Sequence, residues 1–327
     1  MRTKWVLLLA TATALTACGS GDAGKSASSA AKAASRSGSG SSRVSATAAE
    51  VAEEARGDVD CPARIKSAKR DPKAAVDDVV GVRPGMTYEE AANVAMCTHE
   101  LMVVQPDKTR GFRIQTYGQT LRQGFNARFA EPKVEKTSRD YMKELQDNAI
   151  ARGSNRATQD MQPGQSKWYV GTMGMPGEER VITAAREEWF EEGRNPTLAS
   201  VEQALLKKYG APTRNQHNNG RTNLTWAYDP FGRLITETSP LFHQCHGSAD
   251  PDGGSNFSPD CGTVVAATLD PLPGNPDLAR FMQVGVVDQA GGYEVLTATE
   301  QGLQGLESQR RARETEAASK NADTPQL

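Results

Sequence analysis

A cluster of histidines and cysteines near residue 245 is the part of this 327-residue chain best suited to metal chemistry. His243, Cys245 and His246 lie close together, and Cys261 follows after a polar, glycine-rich stretch. Imidazole and thiolate ligands of this kind would suit zinc. Their spacing matches no standard zinc pattern, so we predict no metal and no cofactor. A periplasmic hydrolase or metal-binding protein centred on His243–Cys261 remains the alternative function.

The first 18 residues have the pattern of an export signal. An apolar stretch from Trp5 to Leu15 follows two basic residues and is too short to span a bilayer. The next residues complete the sequence LTAC, which ends at Cys18 and resembles the lipobox of bacterial lipoproteins. The resemblance implies removal of residues 1–17 as a signal peptide and attachment of acyl chains such as palmitate to Cys18. In an organism with two membranes, Gly19 at the next position implies, by the same resemblance, the outer membrane, facing the periplasm.

A tether is predicted after the lipidated cysteine. From Gly19 to about Val44 the chain is almost entirely Gly, Ser and Ala with scattered basic residues. Such a composition cannot bury enough apolar surface to offset its ordering entropy. We therefore predict a disordered tether that ends at residue 57, with a short frayed helix over Ala46–Arg56.

Four cysteines remain after Cys18: Cys61, Cys97, Cys245 and Cys261. An even number of cysteines in an oxidising compartment predicts two disulfides. Three pairings are open. Proximity along the chain favours Cys61–Cys97 and Cys245–Cys261, and the second would close a loop worth roughly 3 kcal/mol in the chain-entropy model.

The sequence offers little support for catalysis. The G-x-S-x-G motif of serine hydrolases is absent. The adjacent carboxylates Glu187/Glu188 and Glu191/Glu192 could in principle serve glycoside hydrolysis, but they fit a solvated edge better. We predict no catalytic residues.

Aromatic residues are the candidates for contact with a partner. They are Trp168, Tyr169, Trp189, Phe190, Trp226 and Tyr228. Alternating aromatic residues on strands usually belong to the core. A subset exposed on one face of a sheet would instead bind a partner protein, because aromatic anchors dominate interface energetics.

Several helices are predicted from their end signals. Thr87 followed by Glu90 forms a capping box that opens a helix. A second helix follows Thr197 and has Gly210 as its stop signal. Ser138–Arg152 is rich in charge and is predicted as an exposed helix or a linker, and a closing helix is predicted at Tyr293–Ala318.

Strand signals fill the remaining folded part. Runs of β-branched and aromatic residues alternate there with turn signals. The predicted strands are Phe112–Tyr117, Gly124–Phe129, Lys167–Thr172, part of Glu179–Phe190, Asn223–Tyr228, Thr263–Leu269 and Arg280–Asp288. Together with the helices, they predict an α+β fold with antiparallel sheets and packed helices.

Two helix-entry segments carry a family resemblance. Gly81–Ala91 reads GVRPGMTYEEA and resembles the opening of BamE/SmpA–OmlA-type lipoproteins. Asn195–Pro212, followed by Leu224–Asp229, resembles a second and more divergent unit. The resemblance implies a compact helix-plus-antiparallel-sheet unit, also found in beta-lactamase inhibitory proteins, and raises the question of two tandem units. The predicted segments are a signal peptide at 1–17, the lipidated cysteine and tether at 18–57, α+β units at 58–152 and 153–300, and a C-terminal helix with a frayed tail at 301–327.

Charge narrows the class of partner. The chain has 38 Lys and Arg against 40 Asp and Glu, a formal net charge of -2, which gives no electrostatic footprint for nucleic acid. The sequence therefore predicts a lipid-anchored cell-envelope protein that acts by protein–protein binding, as a scaffold, assembly accessory or inhibitor. Its expected partners are the membrane, through the lipid anchor, and other envelope proteins. Binding to the cell wall or to small ligands is a third hypothesis.

Overall fold

The computed structural model describes residues 43–107, 111–153, 161–218 and 220–321. The predicted signal peptide, Cys18 and most of the predicted tether lie outside the described residues. The described part contains five helices: α1 Ala48–Arg56, α2 Tyr88–Met96, α3 Ser138–Gly153, α4 Leu198–Tyr209 and α5 Gln289–Asn321. It also contains ten strands: β1 Arg43–Ala46, β2 Met102–Pro106, β3 Gly124–Phe129, β4 Lys133–Glu135, β5 Ser166–Met173, β6 Arg180–Trp189, β7 Arg214–Asn218, β8 Arg221–Ala227, β9 Thr263–Leu272 and β10 Asn275–Asp288.

Eight of these strands form one antiparallel sheet in the order β2-β3-β5-β6-β10-β9-β8-β7. Its central pair is β6 and β10, with Trp189 opposite Phe281 at one end and Thr183 opposite Val287 at the other. The strands β2, β3 and β5, which precede β6 in the chain, lie beyond β6 in the sheet. The strands β7, β8 and β9, which follow α4, lie beyond β10. The antiparallel α+β class predicted from the sequence is confirmed.

Helices α2 and α4 begin where the sequence predicts, because a threonine caps each of them. The Thr87 hydroxyl accepts a hydrogen bond from the Glu90 backbone N–H at 3.1 Å, and the Glu90 carboxylate accepts one from the Thr87 N–H at 3.0 Å. The Thr197 hydroxyl accepts from the Ser200 N–H at 3.1 Å. Gly210 ends α4 with a φ of 82°, which glycine adopts without strain.

Both helices pack against one face of the sheet. Directly opposite residues form a buried row across five strands there: Val170, Ala184, Val286, Val265 and Trp226. Ala91 and Ala95 of α2 and Val201 and Leu205 of α4 complete the same core. Burial of each large apolar side chain stabilises the fold by about 1.5–3 kcal/mol.

Helix α5 and the loop 235–262 cover part of the opposite face. Gly285 of β10 makes room for the loop, since a Cβ at this position would lie 2.2 Å from the carbonyl oxygen of Ser248. Gly292 of α5 packs against the ring of Phe257 in the loop, where a Cβ would also lie 2.2 Å from the nearest ring carbon. The absence of a side chain at Gly285 therefore lets the loop pack closely on β10, and its absence at Gly292 lets α5 pack closely on the loop.

The described residues contain two disulfides, and these follow the pairing favoured by proximity. Cys61 bonds to Cys97 across a sequence separation of 36, and Cys245 bonds to Cys261 across a separation of 16. The first joins the irregular chain before α2 to the end of that helix. The second closes the loop over the sheet, and both of its cysteines are buried.

Two predicted boundaries differ from the elements of the structure. The sequence predicts a tether to residue 57 with a frayed helix at its end, whereas β1 pairs with β4 and α1 packs its Val51 and Ala52 against Val103 and Ala130. This burial, with a capping box at Thr47, orders the segment. The border predicted between residues 300 and 301 falls inside α5, which runs without a break.

Candidate functional site

Three of the six predicted aromatic contact residues belong to the interior. Trp168 and Trp226 are 1% and 0% exposed and lie under the helices, where the Trp226 indole N–H donates to the Gly210 carbonyl at 2.9 Å. Tyr169 is also buried, and its neighbour Gly171 leaves space for its hydroxyl group. The hypothesis of a partner surface is therefore wrong for these three residues, because strand alternation and the coverings of both sheet faces bury them.

Trp189 and Phe190 are half-buried and line one cavity of about 420 Å³, which we call the aromatic cleft. Its described lining residues are Pro163, Trp189, Phe190, Glu192, Gly193, Asn195, Leu272, Pro273, Leu278 and Arg280. Tyr228 is half-buried as well, and burial raises the pKa of its phenol. It lines a different cavity, beside Asp229 and Phe231. The structure thus brings two of the six predicted residues together.

The end of the central strand pair positions the cleft. Trp189 stacks on Phe281 with ring centroids 5.5 Å apart and an interplanar angle of 16°. The Phe190 N–H donates to the Arg280 carbonyl at 3.0 Å. The chain before α4 closes the cleft, because the Asn195 side chain donates to the Ala279 carbonyl at 2.9 Å.

An ion-pair network holds Arg280 in place beside the rings. Its guanidinium donates to Asp270 Oδ2 at 3.0 and 2.6 Å, and Arg221 donates to the other carboxylate oxygen at 2.9 and 2.7 Å. The Arg280 guanidinium carbon lies 5.3 Å from the Trp189 ring centre and 5.1 Å from that of Phe281. Cation–π contacts of this kind contribute about 0.5–2 kcal/mol.

A second polar group supports Trp189 from the side. The indole N–H of Trp189 donates to Glu187, whose other carboxylate oxygen accepts from the Gln283 amide at 2.8 Å. Both donors fix the rotamer of a buried carboxylate. The aromatic cleft is therefore built from side chains that are held before any partner arrives.

The cleft suits binding better than catalysis. None of its described lining residues is Ser, Thr, Cys, Lys or His, and its arginine is already paired. Aromatic residues and Arg are enriched at protein interfaces, and Trp and Arg are among the residues that contribute most of the binding energy there. Sequence reasoning missed Arg280, Phe281 and Asp270. The predicted strand Arg280–Asp288 contains Arg280 and Phe281, but the sequence does not indicate which residues these two contact.

The paired carboxylates do not form a hydrolytic site. Glu187 and Glu188 are consecutive on β6 and point to opposite faces of the sheet. Glu187 binds Trp189 and Gln283, whereas Glu188 is paired with Arg186. Glu191 is paired with Arg194, and Glu192 lines the cleft.

The two cysteines of the histidine and cysteine cluster near residue 245 form a disulfide. Cys245 and Cys261 are bonded to each other, so neither sulfur can act as a thiolate ligand in this form. His246 contributes its backbone carbonyl, which accepts from the Gln289 amide at 2.7 Å. Within residues 43–107, 111–153, 161–218 and 220–321, no group of three or more His, Cys, Asp or Glu side chains could hold a metal ion.

Among the described residues, no helix combines the length and apolar character needed to cross a membrane. Comparison with protein-family models, with curated proteins and with solved structures found no match.

Proposed function

We propose that the chain is a lipid-anchored cell-envelope protein that binds another envelope protein through the aromatic cleft, as a scaffold, assembly accessory or inhibitor. The observation that carries this proposal is the half-buried pair Trp189 and Phe190, which opens onto a cavity beside a fixed arginine. Rigid aromatic and arginine side chains lose little entropy on binding, so most of their contact energy is available for affinity.

The partner's contribution is an apolar side chain that enters the cleft. Leu272, Leu278 and two prolines form apolar walls, whereas Glu192 and Asn195 supply a polar rim. An apolar centre with a polar rim is the usual anatomy of a protein interface. A cavity of about 420 Å³ is large enough for one aromatic side chain and its neighbours.

The proposal includes two tandem units of the BamE/SmpA–OmlA-like type. Thr87 forms a bridge with Arg180 at the start of β6, and Thr197 forms the corresponding bridge with Leu278 in β10. The residue before each threonine accepts a hydrogen bond at 2.8 Å from the residue after that bridge. This repetition supports units that divide between β6 and α4 rather than at residue 152.

The anchor and the compartment belong to the same proposal. The LTAC sequence at Cys18 supports lipidation, and Gly19 supports the outer membrane facing the periplasm. The two disulfides are compatible with an oxidising compartment outside the cytosol. Acyl chains on Cys18 would hold the folded body at the membrane, because each buried CH₂ contributes about 0.8 kcal/mol.

Site-specific photocrosslinking in the native cell tests the proposal. The photoreactive residue p-benzoylphenylalanine replaces Phe190 in one strain and Phe231 in a control strain. Phe231 is 83% exposed and lies outside the cleft, so it reports random collisions. We expect one discrete protein adduct from position 190 and none of that mass from position 231.

A second variant shows whether the cleft itself makes the contact. Leu278→Asp places a charge on the apolar wall and is expected to reduce the adduct from position 190 at least tenfold. Circular dichroism checks that this variant remains folded. Equal adduct yields from positions 190 and 231, or a yield unaffected by Leu278→Asp in folded protein, would overturn the proposed role of the cleft.

A further inference from the structure

One region of the folded body exposes several large apolar side chains without using them in the fold. Val44 of β1 and Val134 of β4 are directly opposite each other and are 56% and 37% exposed. In α3, Tyr141, Met142 and Leu145 are 57%, 63% and 47% exposed. We call these five residues the α3 patch.

The three helical residues share one side of α3. Tyr141 and Leu145 are four positions apart, and Met142 and Leu145 are three apart, which places them on neighbouring turns of one face. The N-terminus of α3 is capped, because the Thr137 hydroxyl accepts a hydrogen bond from the Asp140 N–H at 3.3 Å. The three exposed apolar residues therefore share one face of a capped helix.

The α3 patch lies where the chain arrives from its predicted anchor. Arg43, the first described residue, is opposite Glu135 in the β1–β4 pair. Three residues of chain from Glu135 to Ser138 span at most about 11 Å, and the rise from Ser138 to Leu145 adds about 10 Å. The whole patch is thus close to the point at which the tether meets the fold.

The length of the tether then determines what can cover the patch. Residues 19–42 separate Cys18 from Arg43, and a Gly/Ser-rich chain of this length has a root-mean-square span of roughly 27 Å. An acylated Cys18 would keep this end of the body near the bilayer at high effective concentration. A weak apolar contact is sufficient under those conditions.

We propose that the α3 patch contacts the lipid surface, as a second attachment beside the acyl chains. This inference rests on the lipid anchor of the proposed function. Tyr, Met and Leu would enter the boundary between headgroups and acyl chains, as apolar faces of interfacial helices do. The basic residues Arg139 and Lys143 are offset by Asp140 and Glu144 in sequence, so the contact depends on apolar burial rather than on anionic lipid.

Fluorescence quenching on the lipidated full chain tests the proposal. Met142→Cys is labelled with an environment-sensitive NBD fluorophore, and Ser308→Cys in the exposed part of α5 is the matched control. Each protein is reconstituted in phosphatidylethanolamine/phosphatidylglycerol vesicles with or without lipids that carry a doxyl quencher. We expect at least a threefold loss of emission at position 142 and less than a 1.2-fold change at position 308.

Two further measurements complete the test. Tyr141→Ser/Leu145→Ser should abolish quenching at position 142 while the protein still floats with the vesicles, and 1 M salt should leave quenching unchanged. Unquenched emission from protein that floats would overturn the contact and leave the anchor intact. Dimerisation in detergent that the same double substitution abolishes would overturn it too, because a second copy would then cover the patch. Lipidated protein that fails to float would overturn the anchor and, with it, this inference.

Discussion

Ser67 binds Glu90 through two donors: its backbone N–H lies 2.7 Å from Oε1 and its hydroxyl group contacts Oε2. The backbone N–H groups of Lys66 and Thr87 also donate to this carboxylate. Burial favours the neutral form, but the hydrogen bonds outweigh it and lower the pKa of Glu90 to about 2. One carboxylate thus joins the start of α2 to the irregular chain after Cys61.

Glu90→Gln should destabilise the protein by about 2–3 kcal/mol at pH 7. The folded pKa lies below the unfolded value, so the stabilisation is complete above the unfolded pKa and disappears as pH falls from about 5 to about 2. Urea unfolding at pH 7, 4 and 2 measures this effect. Glu53→Gln on the exposed side of α1 is the control, and a Glu90→Gln deficit of constant size across this range would contradict the assignment.

The two disulfides should stabilise the fold by similar amounts. In the chain-entropy model, loss of the Cys245–Cys261 bond costs about 3 kcal/mol and loss of the Cys61–Cys97 bond about 4 kcal/mol. Double alanine substitution of each pair, followed by denaturant unfolding, measures both values. Alkylation and mass spectrometry should find these four cysteines reactive only after reduction, and labelling of the unreduced protein would refute the pairing.

Two glycines of α5 should respond in opposite directions to alanine. Gly292→Ala places a methyl group 2.2 Å from the Phe257 ring and should destabilise by about 1–3 kcal/mol. Gly305 has open space around its Cα, so Gly305→Ala should stabilise by about 0.5–1 kcal/mol through helix propensity. Thermal unfolding of both variants measures the difference. In a Phe257→Ala background, Gly292→Ala should cost little further stability, and an undiminished cost there would place the strain elsewhere.

Asp270→Asn should loosen the aromatic cleft. The substitution weakens four charge-assisted hydrogen bonds to Arg221 and Arg280, and we expect a loss of about 2 kcal/mol in stability. It should also reduce the photocrosslink from position 190 at least fivefold, because Arg280 is no longer fixed. Asp277→Asn, on an exposed part of β10, is the control for both measurements. An unchanged crosslink in folded Asp270→Asn protein would show that the position of Arg280 is irrelevant to binding.

Cys18→Ser should release the chain from the membrane fraction and leave the folded body intact. A contact through the α3 patch alone is too small for stable attachment, so the variant should move to the soluble fraction after a wash. Cell fractionation followed by immunoblotting measures the distribution, and mass spectrometry of the native protein should find acyl chains on Cys18. Sedimentation of the variant with membranes as efficient as that of the native protein would contradict the anchor.

Local signals predicted the helix starts well. Thr87 and Thr197 cap their helices because the cap depends on residues within one turn. The predicted strand Phe112–Tyr117 is irregular, since β3 already has β2 and β5 on its two sides. Strand β7 has the sequence RNQHN, with no apolar residue, and exists because β8 supplies its hydrogen-bond partners. This strand pairing depends on the tertiary fold, and the sequence of β7 shows no alternation of apolar and polar residues that could have predicted it.

The candidate site was predictable only in part. Trp189 and Phe190 were recognisable as aromatic residues at the end of a strand. The role of Arg280 depends on an irregularity between Ala279 and Phe281, which changes the register of β10 against β9. That register brings Asp270 to the guanidinium, and no short stretch of sequence encodes it.

The central place of β6 in the sheet has a consequence for the order in which the chain can fold. Its partner β10 is complete only at Asp288, about 100 residues after Trp189. Until residues 275–288 are available, β6 has a row of unpaired backbone N–H and C=O groups with which another chain can pair. An exported chain of this topology is therefore expected to depend on a chaperone that keeps it unfolded until β10 has been made and the whole chain has crossed the membrane.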